Sequence, residues 1–266
     1  MSNSLELEKK ICIVIPCYNE EKRLPTLAYE TFLQLNYEVL ICFVNDGSID
    51  ETLKTLEKLR IKFPNNVVII SNEVNLGKAE TVRHGMQYCD KNLNYKYIAY
   101  LDADLATSLE ECLSLISYLN NNISFVFGSR IMKVGSVIKR NQYRFLVGRI
   151  IATVISRILK LKVYDTQCGC KVFTKELSSH IFKDSFISKW LFDVEIFHRI
   201  IIYYGREQVL MKILEIPLKR WIDTGESKVK ISYFLRLWVD LFLINRICKK
   251  ETDRSSNNKK IPLKNV

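Results

Sequence analysis

Four short apolar runs, each ending on a polar turn, constrain this chain more than any other feature. They are Ile11-Cys12-Ile13-Val14-Ile15-Pro16, Val39-Leu40-Ile41-Cys42-Phe43-Val44, Val67 to Ser71, and Tyr97-Ile98-Ala99-Tyr100-Leu101. Runs this short and this continuously apolar read as strands buried on both faces, since a half-exposed strand would alternate with polar residues. Helical patterns separate them. One runs to about Gln34. A second carries Leu53, Leu56 and Leu59 at helical spacing behind Asp50, the predicted N-cap. Asn75-Leu76-Gly77-Lys78 leads into a third, which runs through about Cys89. Strands and helices alternating through short connections predict βαβ units and an α/β, Rossmann-like fold with a largely parallel central sheet.

In such sheets ligands bind beyond the carboxyl ends of the strands. Three polar clusters fall there: Pro16-Cys17-Tyr18-Asn19-Glu20, Asn45-Asp46-Gly47-Ser48 and Asp102-Ala103-Asp104. Residues i and i+2 of a strand share a face, so Asp102 and Asp104 converge where the fourth run stops. Two hard oxygen ligands suit Mg²⁺ or Mn²⁺ shared with substrate phosphates. An Asp-x-Asp alone is short enough to occur by coincidence in a solvated loop; its weight comes from ending a buried strand beside the other two clusters. No Gly-x-Gly-x-x-Gly follows the first strand and no Walker sequence occurs, which excludes a dinucleotide-binding or P-loop site.

Charge points to the partners. The 266 residues carry a net charge of +11, which calls for an anionic partner. From Arg130 to Tyr164 every charged residue is basic, and the apolar stretches Phe145-Leu146-Val147 and Ile150 to Ile155 are interleaved with them. That pattern predicts a helix lying on an anionic membrane surface with snorkelling cations. The alternative is a core helix with a charged rim, although a rim usually carries both signs. Nucleic acid is excluded as the partner, because the charge sits beside apolar residues rather than base-stacking aromatics and no recognised module is present. The expected organisation is a polar segment 1–10, a catalytic domain 11–230 containing the basic segment 130–164, an amphipathic helix 231–248 and a basic, disordered tail 249–266. No apolar stretch is long enough to span a bilayer. The cysteines lie largely in apolar runs, and no secretory signal precedes them, so buried, reduced thiols are expected. His84, His180 and His198 share no ligand spacing and read as structural.

The motifs resemble a known family. Ile13-Val14-Ile15-Pro16-Cys17-Tyr18-Asn19-Glu20, Val44-Asn45-Asp46-Gly47-Ser48, Asn75-Leu76-Gly77-Lys78 and Asp102-Ala103-Asp104 resemble, in order, the signatures of family 2 inverting glycosyltransferases of GT-A fold. Phe127-Gly128-Ser129-Arg130, Asp165 to Phe173, Lys189 to Glu195 and Gly225-Glu226-Ser227-Lys228 resemble the dolichyl-phosphate β-glucosyltransferase branch and its polyprenyl-phosphate relatives. The chain departs from the pattern at Asn45, often an acid, and at Ala79, often a glycine. Ala106 stands where mannosyl-phosphate synthases usually carry glutamine, which favours the glucosyl branch. Eukaryotic members of that branch carry an N-terminal anchor, whereas Met1 to Lys10 is polar.

The resemblance implies transfer of glucose from UDP-glucose to a polyprenyl phosphate, with inversion, by a protein peripheral on the cytoplasmic face of a membrane. The alternatives are GDP-mannose as donor, or a glycan acceptor. It further implies nucleotide contacts from Pro16, Tyr18, Glu20, Asp46, Lys78 and Asp102, and a divalent cation on Asp102 and Asp104. Gln167 would contact sugar or phosphate, and Asp193 would position a sugar hydroxyl. Arg130 and Arg144 are expected at the lipid phosphate, because a guanidinium fork matches phosphate oxygens.

Overall fold

The computed structural model describes residues 11–139, 142–223 and 238–246, apart from the side chains of 142–144. Nine strands are present among them: β1 (Ile11–Cys17), β2 (Val39–Asp46), β3 (Val67–Asn72), β4 (Tyr97–Leu101), β5 (Phe125–Ser129), β6 (Val137–Lys139), β7 (Cys170–Thr174), β8 (Ile213–Pro217) and β9 (Arg220–Ile222). The helices are α1 (Thr26–Leu35), α2 (Thr52–Lys62), α3 (Lys78–Asn92), α4 (Leu109–Ile116), α5 (Gln142–Leu159), α6 (Lys175–Ile181), α7 (Phe192–Tyr204) and the short α8 (Val209–Lys212).

Seven strands form one sheet in the order β3-β2-β1-β4-β7-β5-β8, and β6 pairs with β9 in a small separate ribbon. The four predicted runs are its parallel half, with Ile11 opposite Val39 and Tyr97, and Val14 opposite Tyr100. Only β7 runs antiparallel, between β4 and β5. Alternate residues feed opposite cores, as the strand period of two requires. Cys12, Val14, Ile98 and Tyr100 join the layer under α3, α6 and α7. Ile13, Ile15, Ala99 and Leu101 join the layer under α1, α2 and α4. At Gly85 a Cβ would stand 2.4 Å from Val14 Cγ1, so this glycine lets α3 lie close on β1 and sets where Lys78, its first residue, arrives.

Two expectations shift by a residue or more. Asp50 does accept the Thr52 N–H (3.0 Å) and hydroxyl (2.5 Å), but the residue at the cap position is Glu51. The third helix begins at Lys78 and continues to Asn92, three residues past Cys89, because Leu93 N–H still closes a turn on the Cys89 carbonyl.

The basic segment does form a helix, α5, with Ile155 and Leu159 in the core and Ile151, Val154 and Ile158 packed against it. Its other side exposes Leu146 and Ile150. Part of the apolar pattern is therefore ordinary core, as the alternative reading anticipated. Residues 238–246 are helical, burying Leu241 and Ile244 and exposing Trp238 and Phe242. The remainder of 231–248, the segment 1–10, Gly225 to Lys228, the tail 249–266 and the side chain of Arg144 lie outside the described residues. Among the described residues no helix is long and apolar enough to cross a membrane. Seven cysteines, Cys12, Cys17, Cys42, Cys89, Cys112, Cys168 and Cys170, are buried free thiols.

Candidate active site

The turn after β1 is built by hydrogen bonds to the turn after β2. Asn19 sits at φ 49°, a left-handed conformation asparagine tolerates. Its N–H reaches Ser48 Oγ (3.0 Å), and its Oδ1 accepts the Ile49 N–H (3.0 Å). The Glu20 N–H donates to Thr52 Oγ1 at 2.7 Å. These contacts fix Tyr18, Glu20 and Arg23 beside the carboxyl ends of β1 and β2.

Asp46 is nearly buried and works on the chain itself. Oδ1 accepts from Asn72 Nδ2 and the Leu76 N–H, and Oδ2 accepts the Gly77 N–H, each at 2.9 Å. One carboxylate thus holds the loop that delivers Lys78.

The Asp102-Ala103-Asp104 turn is tight. Leu105 takes φ 51°, an unusual conformation for a non-glycine residue, and its N–H closes on the Asp102 carbonyl at 3.2 Å. Tyr29 donates its hydroxyl to the Ala103 carbonyl at 3.0 Å. Each carboxylate carries a protein cation: Lys78 Nζ lies against Asp102 Oδ1, and Arg23 Nη2 stands 3.0 Å from Asp104 Oδ2. The Ala106 N–H donates to Asp104 Oδ1 at 3.1 Å. Gly169 backs this turn, for a Cβ there would meet Asp102 Oδ2 at 1.9 Å. Cys168 and Cys170 are buried on either side. The glycine is what admits the carboxylate.

Across the cleft, charge is locked in pairs. Asp165 accepts Arg130 Nε at 2.7 Å, Nη2 at 2.8 Å and the Arg130 N–H at 3.1 Å. Burial pushes the Asp165 carboxyl up, but the Arg130 guanidinium and its hydrogen bonds outweigh it and hold the group at about 2. Glu215 fixes the loop from behind, accepting the Tyr164 and Asp165 N–H groups at 2.9 and 2.8 Å. The Arg130 fork expected at a phosphate is therefore already engaged by a carboxylate, leaving other N–H groups of its five. Lys171 is fully buried; its Nζ donates to the Cys168 carbonyl at 2.7 Å and pairs with Asp193 Oδ1 at 2.7 Å. Tyr100 donates its hydroxyl to the same Asp193 oxygen. Burial, then the charge of Asp193, push the Tyr100 phenol well above its usual range, so it remains a donor.

One cleft of about 520 Å³ lies at the carboxyl ends of the strands. Pro16, Tyr18, Glu20, Asp46, Lys78, Asp102, Asp104, Arg130, Gln167 and Asp193 all lie on its wall. Of the expected site residues only Arg144, in α5, is not described at side-chain level. Arg23, Thr81 and Asp223 also line it and were not anticipated; Arg23 had one signal, its place three residues after Glu20 in the first polar turn. Gln167 Nε2 is buried without a protein hydrogen-bond partner, a donor available to a ligand. A wider hollow of about 1000 Å³ opens at the opposite edge, between Tyr95, Ile116 and Lys175, where none of the polar clusters reaches.

The donor set fits a divalent cation only in part on its own. Asp102 and Asp104 supply hard oxygens, and no group of three ligating side chains occurs among the described residues. Mg²⁺ and Mn²⁺ tolerate this, since such ions are commonly held by one or two carboxylates with substrate phosphates completing the shell.

A mostly parallel sheet with paired carboxylates ending its fourth strand, and a polar cleft beyond them, defines a glycosyltransferase of GT-A type. The fold of glucosyl-3-phosphoglycerate synthase from Mycobacterium tuberculosis, solved with Mn²⁺, UDP-glucose and phosphoglyceric acid, superposes with a TM-score of 0.60 at 16% identity, over 90% of this chain and 81% of that one. The chain belongs to glycosyl transferase family 2, whose model matches residues 12–182. Its relatives include a dolichyl-phosphate beta-glucosyltransferase of Trichomonas vaginalis, 33% identical over 88% of this chain and 72% of that protein. The human dolichyl-phosphate beta-glucosyltransferase is 31% identical over 89% and 75%.

Proposed function

We propose that this enzyme transfers glucose from UDP-glucose to a dolichyl-type polyprenyl phosphate, with inversion, at the cytoplasmic face of a membrane. The observation that carries the reading is the meeting of Asp102, Asp104 and Lys78 with Gln167 and Arg130 in one cleft, in a chain whose relatives are named dolichyl-phosphate beta-glucosyltransferases. Tyr18, Glu20 and the turn held by Asp46 form the nucleoside end, and Lys78 faces the diphosphate. Asp102 and Asp104 would hold Mg²⁺ or Mn²⁺, which neutralises charge gathering on the departing diphosphate.

An acceptor phosphate oxygen forms its bond to the anomeric carbon as the bond to UDP breaks on the opposite face. A phosphomonoester is largely ionised near neutral pH, its second pKa being roughly 6, so no general base is required. The chain's task is orientation and charge compensation. Arg130, with the N–H groups that Asp165 leaves, and Arg144 at the start of α5 receive the phosphate. Asp193, fixed by Lys171 and Tyr100, accepts a sugar hydroxyl. Exposed Leu146 and Ile150, with Arg157, Lys160 and Lys162 further along the same basic segment, supply an amphipathic surface for anionic lipid.

The test is a donor screen with dolichyl phosphate, reading nucleoside-diphosphate release. UDP-glucose is expected to be used in preference to GDP-mannose. Preference for GDP-mannose, or release that ignores the lipid phosphate, overturns the assignment.

A further inference from the structure

We infer that Arg23 and Lys78 are internal counter-cations of the Asp102–Asp104 pair, which keep a divalent metal out until a nucleotide diphosphate arrives. The inference rests on the proposed metal role of these two aspartates. Both carboxylates are engaged: Asp102 by Lys78 Nζ, Asp104 by Arg23 Nη2 at 3.0 Å. A cation already set against each of the two carboxylates weakens the hold of each on a dication arriving alone. It would have to displace charge-assisted hydrogen bonds and then sit beside the cations it displaced.

Both displaced cations have somewhere to go once a diphosphate is present. Lys78 is the first residue of α3, at the positive end of the helix dipole, where a cation is disfavoured unless an anion holds it. Asp102 supplies that anion now, and a phosphate oxygen can supply it afterwards. Arg23 Nε is buried without a hydrogen-bond partner and lies 3.6 Å from Glu20 Oε2, just beyond hydrogen-bond reach. A small rotation away from Asp104 would shorten that existing ion pair into a hydrogen bond. Metal and nucleotide are thereby coupled, and linkage makes the coupling reciprocal.

The experiment measures Mn²⁺ bound to the full chain, by water-proton relaxation enhancement, with and without UDP. Wild type is expected to bind Mn²⁺ weakly alone and more tightly with UDP. Arg23→Gln is expected to bind Mn²⁺ alone about tenfold tighter, within the usual span of coupling factors, and to gain correspondingly less from UDP. Lys22→Gln removes the same charge from an exposed neighbour on the same turn and should match wild type. If Arg23→Gln binds Mn²⁺ no better than wild type, Arg23 merely positions Asp104 and the inference fails. It fails equally if Lys22→Gln tightens binding as much, which would mark a long-range charge effect. Should Arg23→Gln not fold, Lys78→Gln probes the other carboxylate, with the same rise expected and the same failure if it is absent. No Mn²⁺ bound by wild type even with UDP would instead overturn the metal reading underneath.

Discussion

The Lys78 and Asp102 side chains are 27% and 38% exposed, whereas Lys171 and Asp193 are 0% and 8% exposed. Both are lysine–aspartate pairs whose aspartate lines the cleft, yet they do different work. An ion pair in contact with water is worth little to stability and can exchange its partner for a ligand. A buried pair cannot let go, because either charge left alone in the interior is costly. Arg23–Asp104 and Arg130–Asp165 are similarly buried, at 19% and 16% against 24% and 9%, and what marks the second pair is the three hydrogen bonds by which Asp165 holds Arg130. Under the proposed function, displaceable charge stands where a charged substrate would enter, and locked charge stands where a side chain must hold still.

Lys171→Met tests the contrast most severely. Breaking a buried pair by removing one partner costs about 3–5 kcal/mol, and denaturant unfolding should register that loss. Lys78→Met should cost no more than about 1 kcal/mol. Equal losses for the two variants would erase the distinction. Asp104→Asn should lower kcat by roughly a hundredfold to a thousandfold, the range for deleting one electrostatic stabiliser of a transition state. Its melting temperature should stay close to wild type, because the asparagine Oδ1 can still accept a hydrogen bond where the carboxylate did. Gly169→Ala is a smaller and subtler break. Its Cβ would press on the Asp102 carboxylate, and misplacement on that scale costs up to about a hundredfold in rate.

Acid titration sharpens the comparison at Asp165. Its folded pKa of about 2 lies below its ordinary value of 3.8. The pair with Arg130 therefore stabilises the fold above about pH 4, and that contribution is lost as pH falls toward 2. About 2 kcal/mol should disappear across this window. Asp165→Asn should be less stable at neutral pH and lack this component of the acid loss. An unchanged acid slope in the variant would show that Asp165 does not carry it.

The parallel half of the sheet was legible because its strands are unbroken apolar runs; Tyr97 to Leu101 is bounded as the sequence implies. The gathering of Tyr18, Asp46, Asp102 and Asp104 was legible for the same reason, since parallel strands end together. What was hidden depends on partners far along the chain. Arg130 looked like a free fork because Asp165 is 35 residues away, and the cation on Asp104 comes from Arg23, 81 residues earlier. Lys171 looked like any lysine in a strand. Its burial follows from β7 being inserted antiparallel between β4 and β5, beneath Asp193, which local periodicity does not encode. Gly169 is required by a neighbour in space, the Asp102 carboxylate, rather than by any turn of its own.

Under the proposed function this cleft joins a glucosyl unit to a lipid phosphate by a single displacement. The most direct test is the anomeric configuration of the product. The protein is incubated with UDP-glucose, dolichyl phosphate and Mn²⁺, and the glycolipid is examined by proton and phosphorus NMR. One glucose bonded through C1 to the lipid phosphate as the β anomer is expected, with UDP released in equal amount. An α-linked product, or glucose released to water in place of a lipid-linked sugar, would contradict it.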